Sequence, residues 1–289
     1  MYAITGITGK VGGELARNLL AAGQPIRAVV RDARKGAAWA AHGCELAIAD
    51  MQDTAALTAA FSGAAGVFIL PPPEFDPEPG YPEARAVNDS VVAALMAARP
   101  ARVVCLSTVG ADAVEDNLLS QRSLLEAALR DLPMPLAIVR PAWFIDNVAW
   151  DVASARDTGI IHSFLQPTDK KLPMVAARDV GRLAAELIVQ HWSGTRIFEL
   201  EGPERVSPDD LAAAFAAALG KPVRAAPVPR ESWEPLFRRH GMKNPEPRIR
   251  MLDGFNEGWI RFQNGGGETI KGPTSAAEVI ADLVAGPKA

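Results

Sequence analysis

The chain has 289 residues, 48% hydrophobic and 22% charged, with 30 basic and 34 acidic side chains and a net charge of −4. That mix excludes a disordered chain, and the charge balance argues against nucleic acid or an anionic membrane as the main partner. Two cysteines, Cys44 and Cys105, and four scattered histidines exclude a disulfide framework and a structural zinc site, and no run approaches the ~20 apolar residues of a membrane helix.

The elements begin at once. Tyr2 to Thr5 reads as a strand. Lys10 to Ala22 reads as a helix, with Val11, Leu15 and Leu19 on one face and Gly23 ending it. Ile26 to Val30 and Glu45 to Ala49 are the next strands, and Asp53 caps a helix through Phe61. Val67 to Leu70 is the fourth strand, stopped by Pro71-Pro72-Pro73. A Pro/Gly-rich loop over 74–82 leads to a helix carrying Val87, Val91 and Leu95. Arg102 to Ser107, a helix over Leu118 to Leu132, and Pro135 to Arg140 complete the run. Strand-helix alternation predicts a parallel α/β sheet with helices on both faces.

After Arg140 the rhythm breaks. Asp179 to Gln190 reads as a helix and Arg196 to Leu200 as a strand. Ser207, Pro208 and Asp210 make a helix start, with Val206 stapled to Leu211; that helix ends at Gly220. Ser275 and Glu278 start another. The expected division is a dinucleotide-binding domain over 1–150, with 179–200 returning to it, and a smaller α/β domain from 151–178 and 201–289.

The most informative segment is Thr5-Gly6-Ile7-Thr8-Gly9-Lys10-Val11-Gly12, between the first strand and first helix. Gly6 permits a tight turn, Gly9 lets a pyrophosphate approach the backbone, and Gly12 lets the helix pack on the strand. The helix amino terminus offers free amides and partial positive charge to phosphates. Lys10 is followed by Val11, so no hydroxyl is placed for magnesium and a Walker loop is excluded. About twenty residues on, where an acid would hold the ribose hydroxyls of NAD, stands Arg31, with Arg34 and Lys35 behind it. A guanidinium there suits a 2′-phosphate, so NADP is expected over NAD; Asp32 reads as a helix cap.

These residues resemble the NmrA-like family, an atypical branch of the short-chain dehydrogenase/reductase superfamily. The resemblance also rests on Val30-Arg31-Asp32, Leu106-Ser107 and Glu126 to Arg130. It continues in Ile138-Val139-Arg140-Pro141-Ala142-Trp143-Phe144-Ile145-Asp146-Asn147 and in Glu201 to Ser207. It implies a Rossmann-like doubly wound domain plus a smaller one, with the substrate between them. It also implies that Asp50 and Met51 flank the adenine and that Leu70 contacts the cofactor. The family includes NADP-dependent quinone reductases and redox-sensing regulators.

The Tyr-x-x-x-Lys pair of ordinary short-chain reductases has no counterpart. Tyr2 is in the first strand and Tyr81 in the loop after the fourth. Arg122 falls where relatives carry the lysine. It cannot act as a base, but it can hold a phosphate, a ribose or a developing oxyanion; the alternative is a helix-surface arginine beside Glu126. Ser107 and Thr108 end the fifth strand, to touch nicotinamide or substrate, or only to form a turn. Cys105 reads as core. Trp143, Phe144 and Asn147 suit a planar apolar ligand with one oriented polar atom, or pack between domains. The expected protein is a cytoplasmic NADP(H)-dependent oxidoreductase that passes hydride to a planar acceptor such as a quinone. Its start, Met1-Tyr2-Ala3-Ile4 running into the glycine loop, reads as lacking a leader. The rival is a cofactor sensor that acts through a protein partner.

Overall fold

In a computed structural model, which describes residues 1–263 and 267–286, the first half alternates as its sequence requires. The elements are β1 (Tyr2–Ile4), α1 (Lys10–Ala21), β2 (Ile26–Val30), α2 (Ala33–Ala41), β3 (Glu45–Ile48) and α3 (Thr54–Phe61). Next come β4 (Gly66–Ile69), α4 (Pro82–Ala98), β5 (Val103–Leu106), α5 (Ser120–Leu129) and β6 (Leu136–Pro141). Asp53 caps α3, accepting from the Ala56 amide at 3.0 Å.

The second half holds β7 (Trp143–Phe144), a 3-10 helix over Ile145–Asp151, α6 (Val152–Thr158), β8 (Ile160–Ser163) and β9 (Leu172–Val175). It continues with α7 (Ala177–Val189), β10 (Thr195–Glu201), β11 (Arg205–Val206), α8 (Pro208–Leu219) and β12 (Arg224–Pro227). The chain then runs through α9 (Trp233–Arg239), α10 (Glu246–Glu257), β13 (Glu268–Lys271) and α11 (Ala276–Ala285). Both expected capping boxes form, Ser207 with Asp210 on α8 and Ser275 with Glu278 on α11.

Eight strands form one parallel sheet in the order β13-β10-β6-β5-β4-β1-β2-β3. The strand order reverses between β1 and β4, the crevice where open α/β sheets bind ligands. Alternation along the strands splits the core. Ile4, Phe68, Val104 and Val139 lie under α1 and α7. Ala3, Val67, Cys105 and Ile138 lie on the other face with α3, α4 and α5. Cys105 is fully buried, as its place in the strand predicts.

A third apolar cluster lies outside the sheet. It gathers Trp233, Phe237, Phe255 and Phe215 around β7, β9 and β11. Glu268–Lys271, expected with the smaller unit, instead runs beside β10 at the edge of the large sheet. The segment 221–263 has no obvious periodicity, yet it folds as β12, α9 and α10. Tertiary burial of its aromatic side chains supplies the stability that helix propensity does not.

Candidate functional site

Gly6 adopts φ +65°, a left-handed conformation that favours glycine. Its carbonyl accepts from the Gly9 amide at 3.0 Å. The Thr5 hydroxyl donates to the Phe68 carbonyl at 3.0 Å and accepts from the Leu70 amide at 2.8 Å, which joins the ends of β1 and β4. Leu70 packs directly over Gly6. Ile7 and Val11 are buried, while Thr8 and Lys10 are exposed.

The two later glycines do different work. A Cβ at Gly12 would lie 2.4 Å from the Gly6 carbonyl oxygen, so this glycine serves packing. A Cβ on Gly9 would meet only that oxygen, at 3.4 Å, and otherwise enter open space. Gly9 is the N-cap of α1. No side chain caps that helix and no acid stands in its first turn. An uncapped helix start with an open glycine in front is a place for an anion.

Lys10 Nζ lies 3.1 Å from Asp146 Oδ1, and Asp146 Oδ2 accepts from the Ala177 amide at the start of α7 at 2.8 Å. Asp146 thus ties the glycine loop to the segment after β6, a role the sequence did not indicate. On α7, Gly181 permits the close approach to α1, since a Cβ there would lie 2.6 Å from Glu14 Cβ.

At the end of β2, Asp32 caps α2 and accepts from the Arg34 amide at 2.9 Å and from its guanidinium at 2.9 Å. The Arg34 guanidinium holds this carboxyl below its ordinary range, and the Arg34 amide adds to the effect. Arg31 beside them is exposed, with no side-chain hydrogen bond or ion pair among the described residues. Asp50 is exposed and accepts from the Gln52 amide at 2.9 Å. Met51, expected beside the adenine, is buried in the core beneath, so Asp50 alone of this pair stands at the surface.

Ser107 is buried, and its hydroxyl donates to Glu126 Oε1. It is therefore not free toward a substrate. Arg140 grips the same carboxylate, Nε to Oε1 at 2.9 Å and an Nη to Oε2 at 2.7 Å, and reaches Asp112 Oδ2 at 2.7 Å. Glu199 stands opposite Arg140 in register on β10, and burial raises its carboxyl above the ordinary range. Arg122 is half-buried. Its one side-chain hydrogen bond among the described residues goes to the Pro71 carbonyl at 3.0 Å, and burial lowers its pKa. It has no carboxylate partner among the described residues, Glu126 being taken by Arg140.

Tyr81 is buried. Its single phenolic proton is shared between two acceptors, Asp116 Oδ1 at 2.8 Å and the Asn117 carbonyl at 2.9 Å. Burial pushes its pKa up and Asp116 adds to the rise. Trp143 and Phe144, expected to form one wall, face opposite ways. Trp143 packs edge-on against Phe255 at 5.0 Å in the outer cluster, and Phe144 packs on the main core. Neighbouring residues on a strand alternate, so β7 cannot present both rings to one ligand. Asn147 is exposed.

The arrangement is a Rossmann-type crevice with an anion cradle, a free arginine at the second strand, and a buried ion cluster at the carboxyl ends of β5 and β6. The sequence profile of the NmrA-like family matches residues 2–250, a span that contains every one of these groups. The chain belongs to the NmrA-like family.

Curated relatives of this NmrA-like chain include reductases. It is 27% identical over 260 residues to the NAD(P)H azoreductase of Xenophilus azovorans, across 89% of this chain and 85% of that protein. It is 27% identical to quinone oxidoreductase 2 of Escherichia coli, across 77% and 76% respectively. Among solved structures it resembles the NADPH complex of the NADPH-dependent quinone oxidoreductase of Escherichia coli. The TM-score is 0.79 at 23% identity, covering 97% of this chain and 98% of that one. The Citrobacter triphenylmethane reductase with NADP(H) also has a TM-score of 0.79, at 21% identity, covering 96% and 98%. Those two likenesses show the fold. No helix among the described residues is long and apolar enough to cross a membrane.

Proposed function

We propose that this NmrA-like chain is an NADP(H)-dependent reductase of planar acceptors such as quinones or azo compounds. The observation that carries the reading is the pairing of α1, open at Gly9 and without a side-chain cap, with an exposed Arg31 at the end of β2 that has no partner, both among the described residues. Curated relatives that are an azoreductase and a quinone oxidoreductase supply the acceptor class.

Residues Gly6 to Gly12 would hold the pyrophosphate on backbone amides, and Arg31 would pair with the 2′-phosphate through charge-assisted bonds. Leu70 and Asp50 stand at the edges of that crevice, at the ends of β4 and β3. When bound, the cofactor supplies the hydride. The chain supplies orientation and charge. Arg122 spends one bond on Pro71 and keeps its positive charge at the carboxyl ends of β4 and β5. There it would favour negative charge growing on an acceptor oxygen.

Two hydroxyls are withdrawn from proton transfer: Tyr81 by Asp116 and Asn117, Ser107 by Glu126. An acceptor that takes hydride without a phenolic acid suits this site better than a plain ketone. The test is NADPH oxidation, followed at saturating cofactor with several quinones and azo dyes. Turnover with at least one supports the reading. Tight NADPH binding with background oxidation throughout is the behaviour of a sensor and would end it.

A further inference from the structure

A cavity of about 500 Å³ opens between the β5–α5 loop and the segment after α10, with Asp112, Glu115, Trp259, Arg261, Phe262 and Gln263 in its lining. That volume lies in the ordinary range for small-molecule sites. Two rings, Trp259 and Phe262, offer flat apolar surface. The Trp259 ring is fixed: its indole N–H donates to Glu257 Oε2 at 2.9 Å, and Gly254 leaves room for its edge, where a Cβ would sit 2.6 Å away.

The charge behind the cavity is unbalanced. Asp112 Oδ2 is held by Arg140 at 2.7 Å, while Oδ1 has no hydrogen-bond partner among the described residues and the side chain is 24% exposed. Arg140 also carries the whole of Glu126. Glu199 adds a third carboxyl, and it accepts from the Gln263 amide at 3.1 Å, on the opposite wall. Even with Glu199 neutral, Asp112 and Glu126 share the one Arg140 guanidinium, and Arg122, one helical turn from Glu126, spends its side-chain hydrogen bond on the Pro71 carbonyl and reaches neither carboxylate among the described residues. At the rim Glu115 and Arg261 offset each other. Charge in such a partly buried place is weakly screened, so the excess is felt inside the cavity. The cluster reaches Ser107 at the end of β5, so the cavity adjoins the edge where such sheets bind ligands.

We propose that this cavity receives the planar acceptor, and that Asp112 makes it select acceptors carrying a cationic or amino substituent over anionic ones. The inference rests on the reductase reading for its acceptor, and its test needs no turnover. Two azobenzene dyes of the same ring system, one bearing a quaternary ammonium and one a sulfonate, are titrated by absorbance shift into the NADP⁺-saturated protein.

The wild type binds the cationic dye about tenfold tighter, as a charge-assisted contact requires. Asp112→Asn cuts that preference to about threefold or less. Trp259→Leu, on the open wall, weakens both dyes about fivefold and keeps the preference, because stacking is blind to the substituent. Equal affinities in the wild type, or a preference unchanged in Asp112→Asn, overturn the proposal. So does undiminished binding of both dyes by Trp259→Leu, which remains informative if the Asp112 variant does not fold. Charge-selective dye binding without NADPH oxidation would reject the reductase reading alone. Turnover without charge selection would reject this inference alone.

Discussion

A Cβ on Gly12 would lie 2.4 Å from the carbonyl oxygen of Gly6, whereas one on Gly9 would have its nearest neighbour at 3.4 Å. One loop therefore contains a glycine required by the fold and a glycine available to a ligand. Gly12→Ala forces backbone against backbone and costs about 1–3 kcal/mol or more of stability. Gly9→Val leaves the thermal midpoint near that of the wild type and removes NADPH binding, because the side chain fills the phosphate's place. Thermal unfolding and a fluorescence titration on both variants check the contrast. NADPH binding retained in Gly9→Val would refute it.

Arg31→Ala lowers affinity for NADPH by about tenfold or more and changes NADH affinity little. A charged hydrogen bond is worth roughly 1.5–3 kcal/mol, and the guanidinium has no other partner to lose among the described residues. Titration of both cofactors against both proteins gives the ratio. Equal wild-type affinities for NADPH and NADH would contradict the assignment.

Tyr81→Phe leaves the turnover rate with quinones unchanged but destabilises the protein by about 1–3 kcal/mol. Its phenol holds Asp116 and the Asn117 carbonyl, and nothing in the site calls on its proton. A rate loss at unchanged stability would return the tyrosine to the chemistry.

Arg140→Met leaves Glu126 buried without its cation and costs about 3–5 kcal/mol in chemical denaturation. The double variant Arg140→Met, Glu126→Leu recovers much of that loss, since no buried charge then stands alone. Equal losses in the two would mean that packing, not charge, is at stake.

Asp76 accepts from the amides of Lys243 at 2.8 Å and Asn244 at 2.7 Å, so the proline-rich loop after β4 is latched to the segment before α10. The Lys243 amide leads in holding this carboxyl below its ordinary range; burial opposes and the Asn244 amide adds. A depressed pKa in the fold contributes stability above about pH 4, lost as pH falls through the folded value. The latch therefore holds at neutral pH and opens in acid. Asp76→Ala opens it at pH 7, read as faster hydrogen exchange at Lys243 and Asn244. Exchange unchanged by the substitution would show that other contacts hold the loop.

What the sequence determined on its own was local. The glycine spacing, the alternating apolar runs and the Ser207 and Ser275 caps each depend on residues within one turn or strand. Those elements formed where the pattern placed them. The position of Arg31 at the end of β2 was legible for the same reason, because it follows from counting along one βαβ unit. Tertiary structure decided the rest. Glu126, Arg140 and Asp112 each look like a separate surface charge in the chain, and only the sheet brings them onto one another. Ser107 loses its hydroxyl to that cluster, Met51 turns into the core, and Trp143 and Phe144 part to opposite sides. The last strand finds β10 from far along the chain, and the wall at Trp259 meets the wall at Asp112 in the same way. Periodicity records which face of an element is apolar, but not what that face will meet. That depends on long-range burial, which repays the entropy of closing loops only once the whole sheet is assembled.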